Sequence, residues 1–428
     1  MNTLIELRDL YRSLTIANSF VDLIAHISPL NWHTQNNKSI TMRILQVIQY
    51  LASSYGGPAT VCKDLSKALA KEGHEVVVYS TNLDYPRGYL DVKTDYPYLQ
   101  DGYEIWYFKG SQGYGFSFSL LNKLIQTMSS FDIVEIHGLY RFPQAIAAYV
   151  ARLTNSPYVI RPHGSLDPFL YYQSRNYWIK RLYERLVDFP NINSASALHF
   201  TAEDEYQLIK PLKLKPIPWV IPLGLNVTDY SFPNKGDFKH KLGLNREEKI
   251  ILYLGRLHFK KGIDILIESF SLLSNERNDV KLVIAGPDND GYIKVVKEWI
   301  SKAGIQDKVI FTGLIEGNDK FSAFQDADVF LLPSYSENFG ITIVEAMLFE
   351  SPVVISNKVN IWREIQDAGA GIVTNCNAYE VKSAMVKILG DSVFANTMGI
   401  AAKQLVLDRY NWEIIVPQLT RSYNSIIR

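Results

Sequence analysis

Ile44-Leu45-Gln46-Val47-Ile48, Ser54-Tyr55-Gly56-Gly57-Pro58, the row Val61, Leu65, Ala68 and Leu69 ahead of Gly73, and Glu75–Ser80 together decide the fold. The first run is short and apolar, as a strand covered on both faces must be. The second is a turn, and the third recurs at helical spacing until Gly73 stops it. Strand, glycine loop, helix, strand is the repeating step of a parallel, helix-covered sheet. The alternation continues through β runs at Glu104–Phe108, Asp132–Ile136, Tyr158–Arg161, Leu198–Phe200 and Trp219–Ile221. It restarts after Asp229–Lys249 with strands predicted at Ile250–Leu254, Lys281–Ala285, Lys308–Thr312, Asp328–Leu332 and Pro352–Ser356. Helical patterns at Ile263–Leu273, Tyr292–Ala303, Phe321–Asp326 and Ile341–Phe349 interleave with them. Pro222, Gly224, Pro233 and Gly236 interrupt periodicity between the two series. The expected fold is α/β, two Rossmann-like doubly wound parallel-sheet domains facing a cleft, with residues 42–225 in the first and 226–411 in the second.

Composition narrows the function. A chain of 428 residues holds two or three domains with large cores. Lys plus Arg and Asp plus Glu both total 44, which gives no basis for wholesale nucleic-acid binding. Cys62 and Cys376 are too few for a disulfide framework and fit a reducing, cytoplasmic setting. No run reaches the ~18 apolar residues of a membrane span. The stretch from Leu14 to Leu30 is broken by Asn18, Asp22 and His26, and Glu6 and Asp9 ahead of it do not fit a secretory signal. Residues 1–41 share no pattern with the remainder of the chain and read either as a misassigned start ahead of Met42 or as an accessory extension.

Ligands of open α/β sheets bind beyond the carboxyl ends of strands, and the polar motifs fall there. Ser334-Tyr335-Ser336-Glu337-Asn338-Phe339-Gly340 leads into Ile341-Thr342-Ile343-Val344-Glu345-Ala346-Met347, an apolar helix carrying a carboxylate. A buried Glu345 needs a partner, and a glycine-ended loop offers free backbone N–H groups at the same place. A hydroxyl-rich, phosphorylated ligand meets both requirements; the alternative is a structural Lys or Arg paired with the Glu. Gly255-Arg256-Leu257 with Lys260-Lys261-Gly262 combines a guanidinium fork, a point charge and a helix N-terminus, which suits a diphosphate; a solvated turn is the alternative. His137 and His163 each precede a glycine that permits close backbone approach. Their imidazoles could donate to a leaving phosphate, a reacting sugar or an acceptor, or simply bond to their own loops. Gly56-Gly57 could admit a phosphate or serve as a plain turn. It does not match G-x-G-x-x-G, and no P-loop motif occurs. The 8 histidines lack metal-ligand spacing, so no metal is expected. Tyr171–Asp188 mixes Arg175, Lys180, Arg181 and Arg185 with Tyr172, Tyr177, Trp178 and Tyr183, suiting an anionic lipid surface or, alternatively, a solvated helix packed on its own domain.

These residues resemble the retaining GT-B glycosyltransferases of family four, the group 1 glycosyltransferases, from about Arg43 to beyond Trp412. Glu337 and Glu345 match that family's E-x7-E motif, Gly255-Arg256-Leu257 with Lys261-Gly262 its diphosphate loop, and Leu282-Val283-Ile284-Ala285-Gly286 the strand below the nucleotide. The resemblance implies a nucleotide-diphosphate-sugar donor, no separate cofactor, and a glycan or lipid-linked acceptor. By the same resemblance Arg256 and Lys261 hold the diphosphate and Glu345 the ribose. Glu337, with backbone N–H groups near Asn338, Phe339 and Gly340, holds the transferred sugar. His163 lies beside the reacting centre, Gly57 and Gly286 near the donor, and His137 on the acceptor side. Residues 412–428 resemble a terminal helix that returns to the first domain. Tyr158–Phe169 and Val359–Glu364 resemble members that build bacterial surface polysaccharides. Some positions depart from the family pattern: Pro222-Leu223-Gly224-Leu225-Asn226 stands where Pro-Asn-Gly-Val-Asp is usual, and Glu135 replaces a frequent His. A GT-B sugar phosphorylase, a nucleotide-sugar epimerase and a non-catalytic nucleotide-sugar-binding protein remain as alternatives.

Overall fold

The computed structural model describes residues 41–84, 88–169, 177–289 and 291–427. Residues 1–40 of the N-terminal extension, and residues 171–176 of the basic, aromatic segment, lie outside them. Two sheets organise the chain. In the first, β1 (Arg43–Val47), β2 (Glu75–Thr81), β3 (Pro97–Gln100), β4 (Tyr103–Phe108), β5 (Ile133–His137), β6 (Tyr158–Arg161), β7 (Ala197–Phe200) and β8 (Ile217–Val220) stand in the order β3-β4-β2-β1-β5-β6-β7-β8. In the second, β9 (Lys249–Leu254), β10 (Val280–Ala285), β11 (Val309–Gly313), β12 (Val329–Leu332), β13 (Val353–Ser356) and β14 (Gly371–Thr374) stand as β11-β10-β9-β12-β13-β14. Neighbouring strands run parallel, apart from the antiparallel β3–β4 hairpin at one edge.

Burial explains which strands were predictable. β1, β5, β9 and β12 are covered on both faces, and their apolar runs leave almost nothing exposed. β3 and β14 lie at edges, are half exposed and were not expected from sequence, whereas the edge strand β11, equally exposed, was, because Val309-Ile310-Phe311 is an apolar run. The helix Gly57–Lys71 starts at a left-handed Gly56 with Pro58 in its first turn and buries Val61, Cys62, Leu65, Ala68 and Leu69 on the sheet.

Two crossings join the sheets, side by side. The Leu225 amide donates to the Tyr410 carbonyl at 2.8 Å, and the Trp412 amide donates to the Leu225 carbonyl at 3.1 Å. Gly224 fits only because it lacks a side chain, since a Cβ there would stand 2.8 Å from the Trp412 nitrogen. After this crossing the helix Trp412–Asn424 packs on the first domain: Lys71 donates to Glu413 at 2.8 Å, and the buried Tyr423 hydroxyl donates to Glu135.

Candidate active site

Both strand orders reverse at a central strand, β1 in the first sheet and β9 in the second, and the crevices at those reversals face each other. From the first sheet come Gly56 and Gly57 after β1, His137 at the end of β5 and His163 after β6. From the second come Arg256 and Lys261 after β9, Gly286 after β10, and Glu337 after β12. A cavity of about 490 Å³ lies between them, lined by Gly57, His163, Arg256, Lys261, Gly286, Glu337, Asn338, Phe339, Gly340 and Glu345. His137 stands one layer behind, with its Nδ1 3.0 Å from the Nε2 of His163.

Glycines fix the second-domain loops. A Cβ on Gly286, at φ 135°, would fall 2.0 Å from the Gly255 carbonyl oxygen; one on Gly262, at φ 67°, would fall 2.1 Å from that of Pro333. The loop after β9 is thereby pressed onto the loop after β12, where the Tyr335 amide donates to the Lys260 carbonyl at 2.7 Å. Close approach delivers Lys261 to Glu337, and the two form an ion pair. Burial works to raise the Glu337 carboxyl, but Lys261, Lys260 and Arg256 overcome it and hold the group below the usual carboxylate range. Burial pulls the Lys260 ammonium down to about 8, against the attraction of Glu337.

Glu345 is 1% exposed within the helix Ile341–Leu348. One carboxylate oxygen accepts from Lys320 at 2.6 Å and from the Tyr230 hydroxyl at 2.9 Å. The other is buried without a protein partner on a residue that lines the cavity. An ion pair and an unpartnered acceptor therefore coexist on one side chain. No side chain caps this helix or the helix Gly57–Lys71, so two bare helix N-termini border the cavity from opposite domains.

The histidine side is built differently. His163 takes a left-handed φ of 52°, a conformation costing a non-glycine residue ~1–3 kcal/mol. Glu205 holds this turn: its carboxylate accepts from the Gly164 amide at 3.2 Å and from the Thr201 amide at 2.7 Å. With its amide nitrogen turned toward Glu205, Asn338 donates to that carboxylate at 2.8 Å and accepts from the Thr201 hydroxyl at 3.1 Å, tying the domains together. The Phe339 ring is buried edge-on against Tyr410, so its place at the cavity is through its backbone. Burial drives the His137 imidazole down to about 3, and burial with the neighbouring His137 and Arg161 also holds His163 well below its ordinary value. Both rings are neutral at pH 7.

Sequence reasoning placed Lys260 beside Lys261 in the cationic loop but missed Lys320, Tyr230 and Glu205, which reach the site only through tertiary contacts and carried no local signal. Among the described residues there is no group of three or more His, Cys, Asp or Glu side chains suited to a metal ion.

Sucrose-phosphate synthase from Thermosynechococcus elongatus shares this architecture with a TM-score of 0.72 at 20% identity, over 90% of this chain and 98% of that one. The molecule has the GT-B fold. Residues 55–229 match the model of glycosyltransferase family 4, and residues 234–405 match that of the glycosyl transferases group 1. The chain belongs to the group 1 GT-B glycosyltransferases. An uncharacterized glycosyltransferase of Methanocaldococcus jannaschii is 26% identical over 89% of this chain and 98% of its own length. The alpha-monoglucosyldiacylglycerol synthase of Streptococcus pneumoniae is 26% identical over 70% of this chain and 67% of its own.

Proposed function

We propose that this glycosyltransferase moves a hexose-type sugar from a nucleoside-diphosphate donor to a glycan or lipid-linked acceptor in polysaccharide biosynthesis, with retention of anomeric configuration. The observation that carries this is the convergence of Arg256, Lys260, Lys261 and two uncapped helix N-termini on one cavity, opposite a neutral His163. Cations and helix dipoles fixed before reaction stabilise the charge that develops on a departing diphosphate. These groups supply the charge a metal ion would otherwise bring, which supports a metal-independent reaction. The unpartnered oxygen of Glu345 is suited to a ribose hydroxyl, and Glu337, held ionised by Lys261, to hydroxyls of the sugar. A same-face attack by the acceptor hydroxyl accounts for retention.

The acceptor side has its own support. In the helix Tyr177–Tyr183 and the adjoining π-helical turn Glu184–Asp188, Glu184 and Asp188 point inward and are buried, while Trp178, Leu182 and Leu186 are 74%, 60% and 66% exposed. The segment thus turns its apolar side outward, with Arg181 and Arg185 exposed beside it. Glu184 accepts from the Tyr140 hydroxyl at 2.6 Å, which anchors the inverted arrangement. Apolar anchors flanked by arginines suit the surface of an anionic membrane, where a lipid-linked acceptor resides. No helix among the described residues is long and apolar enough to cross a membrane.

A donor screen read by released nucleoside diphosphate, with and without candidate acceptors and chelator, tests the proposal. Acceptor-dependent release that survives chelation, giving a product of retained configuration, is expected. Phosphate-dependent release of sugar phosphate would identify a phosphorylase, donor isomerisation an epimerase, and binding without turnover a non-catalytic protein.

A further inference from the structure

Behind the two histidines lies a fully buried polar cluster: Gln46, Glu135, Arg161, His199 and Tyr423. Unpaired polar atoms are costly in such a cluster, and of its side-chain atoms Arg161 Nη1 alone lacks a partner, so its hydrogen-bond directions are constrained. Burial opposes charge on Glu135, but the Arg161 guanidinium holds its carboxyl well below the usual range. Arg161 Nε donates to Glu135 at 2.8 Å, and Tyr423, from the helix that returns after the second domain, donates its hydroxyl to the same carboxylate.

An ionised carboxylate only accepts, and this fixes the remaining directions. Gln46 must turn its amide nitrogen toward Glu135, at 3.4 Å, so its carbonyl oxygen faces His137 Nε2 at 2.5 Å. A carbonyl also only accepts, so His137 carries its proton on Nε2. Its Nδ1 is then a bare lone pair, and the contact at 3.0 Å requires His163 to donate from Nε2. His163 is left with Nδ1 unprotonated. His199 sits outside the chain: its Nε2 donates to the Ile221 carbonyl at 2.9 Å and its Nδ1 accepts from Arg161 at 3.0 Å.

We propose that Glu135, acting through Gln46, is a positioning residue that sets both cleft histidines as neutral Nε2–H tautomers, with Tyr423 of the C-terminal helix holding Glu135 in place. His163 thereby offers the cleft an imidazole acceptor rather than an imidazolium, poised to take a hydrogen bond from a hydroxyl of the donor sugar or the acceptor. This assigns a role to Glu135, the position where the chain departs from its family's frequent histidine. Its catalytic consequence rests on the glycosyl-transfer function proposed above; the tautomers themselves do not.

The test is a two-bond proton–nitrogen correlation spectrum of the ¹⁵N-histidine-labelled full chain at pH 7, with His137 and His163 assigned from the signals missing in His137→Asn and His163→Asn. Neutral rings protonated at Nε2 are expected at both positions. An Nδ1–H tautomer or a protonated ring at either one would overturn the proposal, whether or not the protein turns over a sugar nucleotide. In Gln46→Met the His137 signals should move to a tautomer mixture while His199 keeps its pattern, and kcat should fall about tenfold with donor KM within about twofold. An unchanged His137 tautomer in that variant would equally overturn it. Confirmed tautomers in a protein without transferase activity would leave the positioning network standing and remove the proposed function.

Discussion

The two walls of the cleft solve opposite electrostatic problems. The second-domain wall concentrates charge: Arg256, Lys260 and Lys261 surround Glu337, and Lys320 meets Glu345. The first-domain wall removes it, since His137 and His163 are both held neutral by burial. Charge on one side is what a diphosphate needs, and a neutral acceptor on the other is what a reacting hydroxyl needs. On the proposed reading, the charged wall takes the anionic end of the donor and the neutral wall takes a reacting hydroxyl.

The largest expected loss comes from breaking the charged wall. Arg256→Ala should lower kcat/KM about 10²- to 10³-fold, the usual consequence of removing one preorganised donor to developing charge. Steady-state kinetics with the donor identified by the screen measures it. On the neutral wall, His163→Ala should lower kcat about 10²-fold with little change in donor KM, because the proposed function assigns the donor phosphates to the other wall. Equal effects of the two variants on donor KM would erase the distinction between the walls.

Glu345→Gln should act more gently, raising donor KM about tenfold at nearly constant kcat, since one carboxylate oxygen already belongs to Lys320 and Tyr230. A separate effect is expected on acid stability. The folded imidazole of His137 titrates at about 3, against about 6.5 when unfolded, so below pH 6.5 the unfolded chain binds the extra proton. Stability should therefore fall as pH drops from about 6.5 toward about 3, and His137→Asn should make that decline shallower in denaturant titrations at successive pH values. The smallest change should come from the outward-facing helix: Trp178→Ala with Leu182→Ser should weaken sedimentation with anionic vesicles while leaving turnover of a soluble acceptor within about twofold.

Much of this was legible in the chain, for reasons that differ between the walls. Arg256, Lys261 and Glu337 sit in short motifs after apolar strands and Glu345 in the apolar helix that follows one, so local pattern placed them, and the cavity gathers all four. Both sheets were legible wherever strands are covered on two faces, as in β1 and β9. The half-exposed edge strands β3 and β14 escaped, whereas the edge strand β11, equally exposed, carries an apolar run and did not. Partners could not be read, because pairing is a property of the folded chain. Lys320 lies 25 residues from Glu345, Glu205 lies 41 from Gly164, and Tyr423 lies 288 from Glu135. The expectation that Lys261 serves a diphosphate and Glu337 a sugar also omitted that each is the other's ion-pair partner. A donor bound as proposed would share or open that pair on entry.

The central claim is that the second-domain wall is a diphosphate site. Its most direct test is calorimetric titration of uridine, guanosine and adenosine diphosphates into the wild-type chain and into Lys261→Ala and Arg256→Ala. Binding of at least one nucleotide by the wild type, weakened about tenfold or more in both variants, is the predicted result. Undiminished affinity in both variants would contradict it.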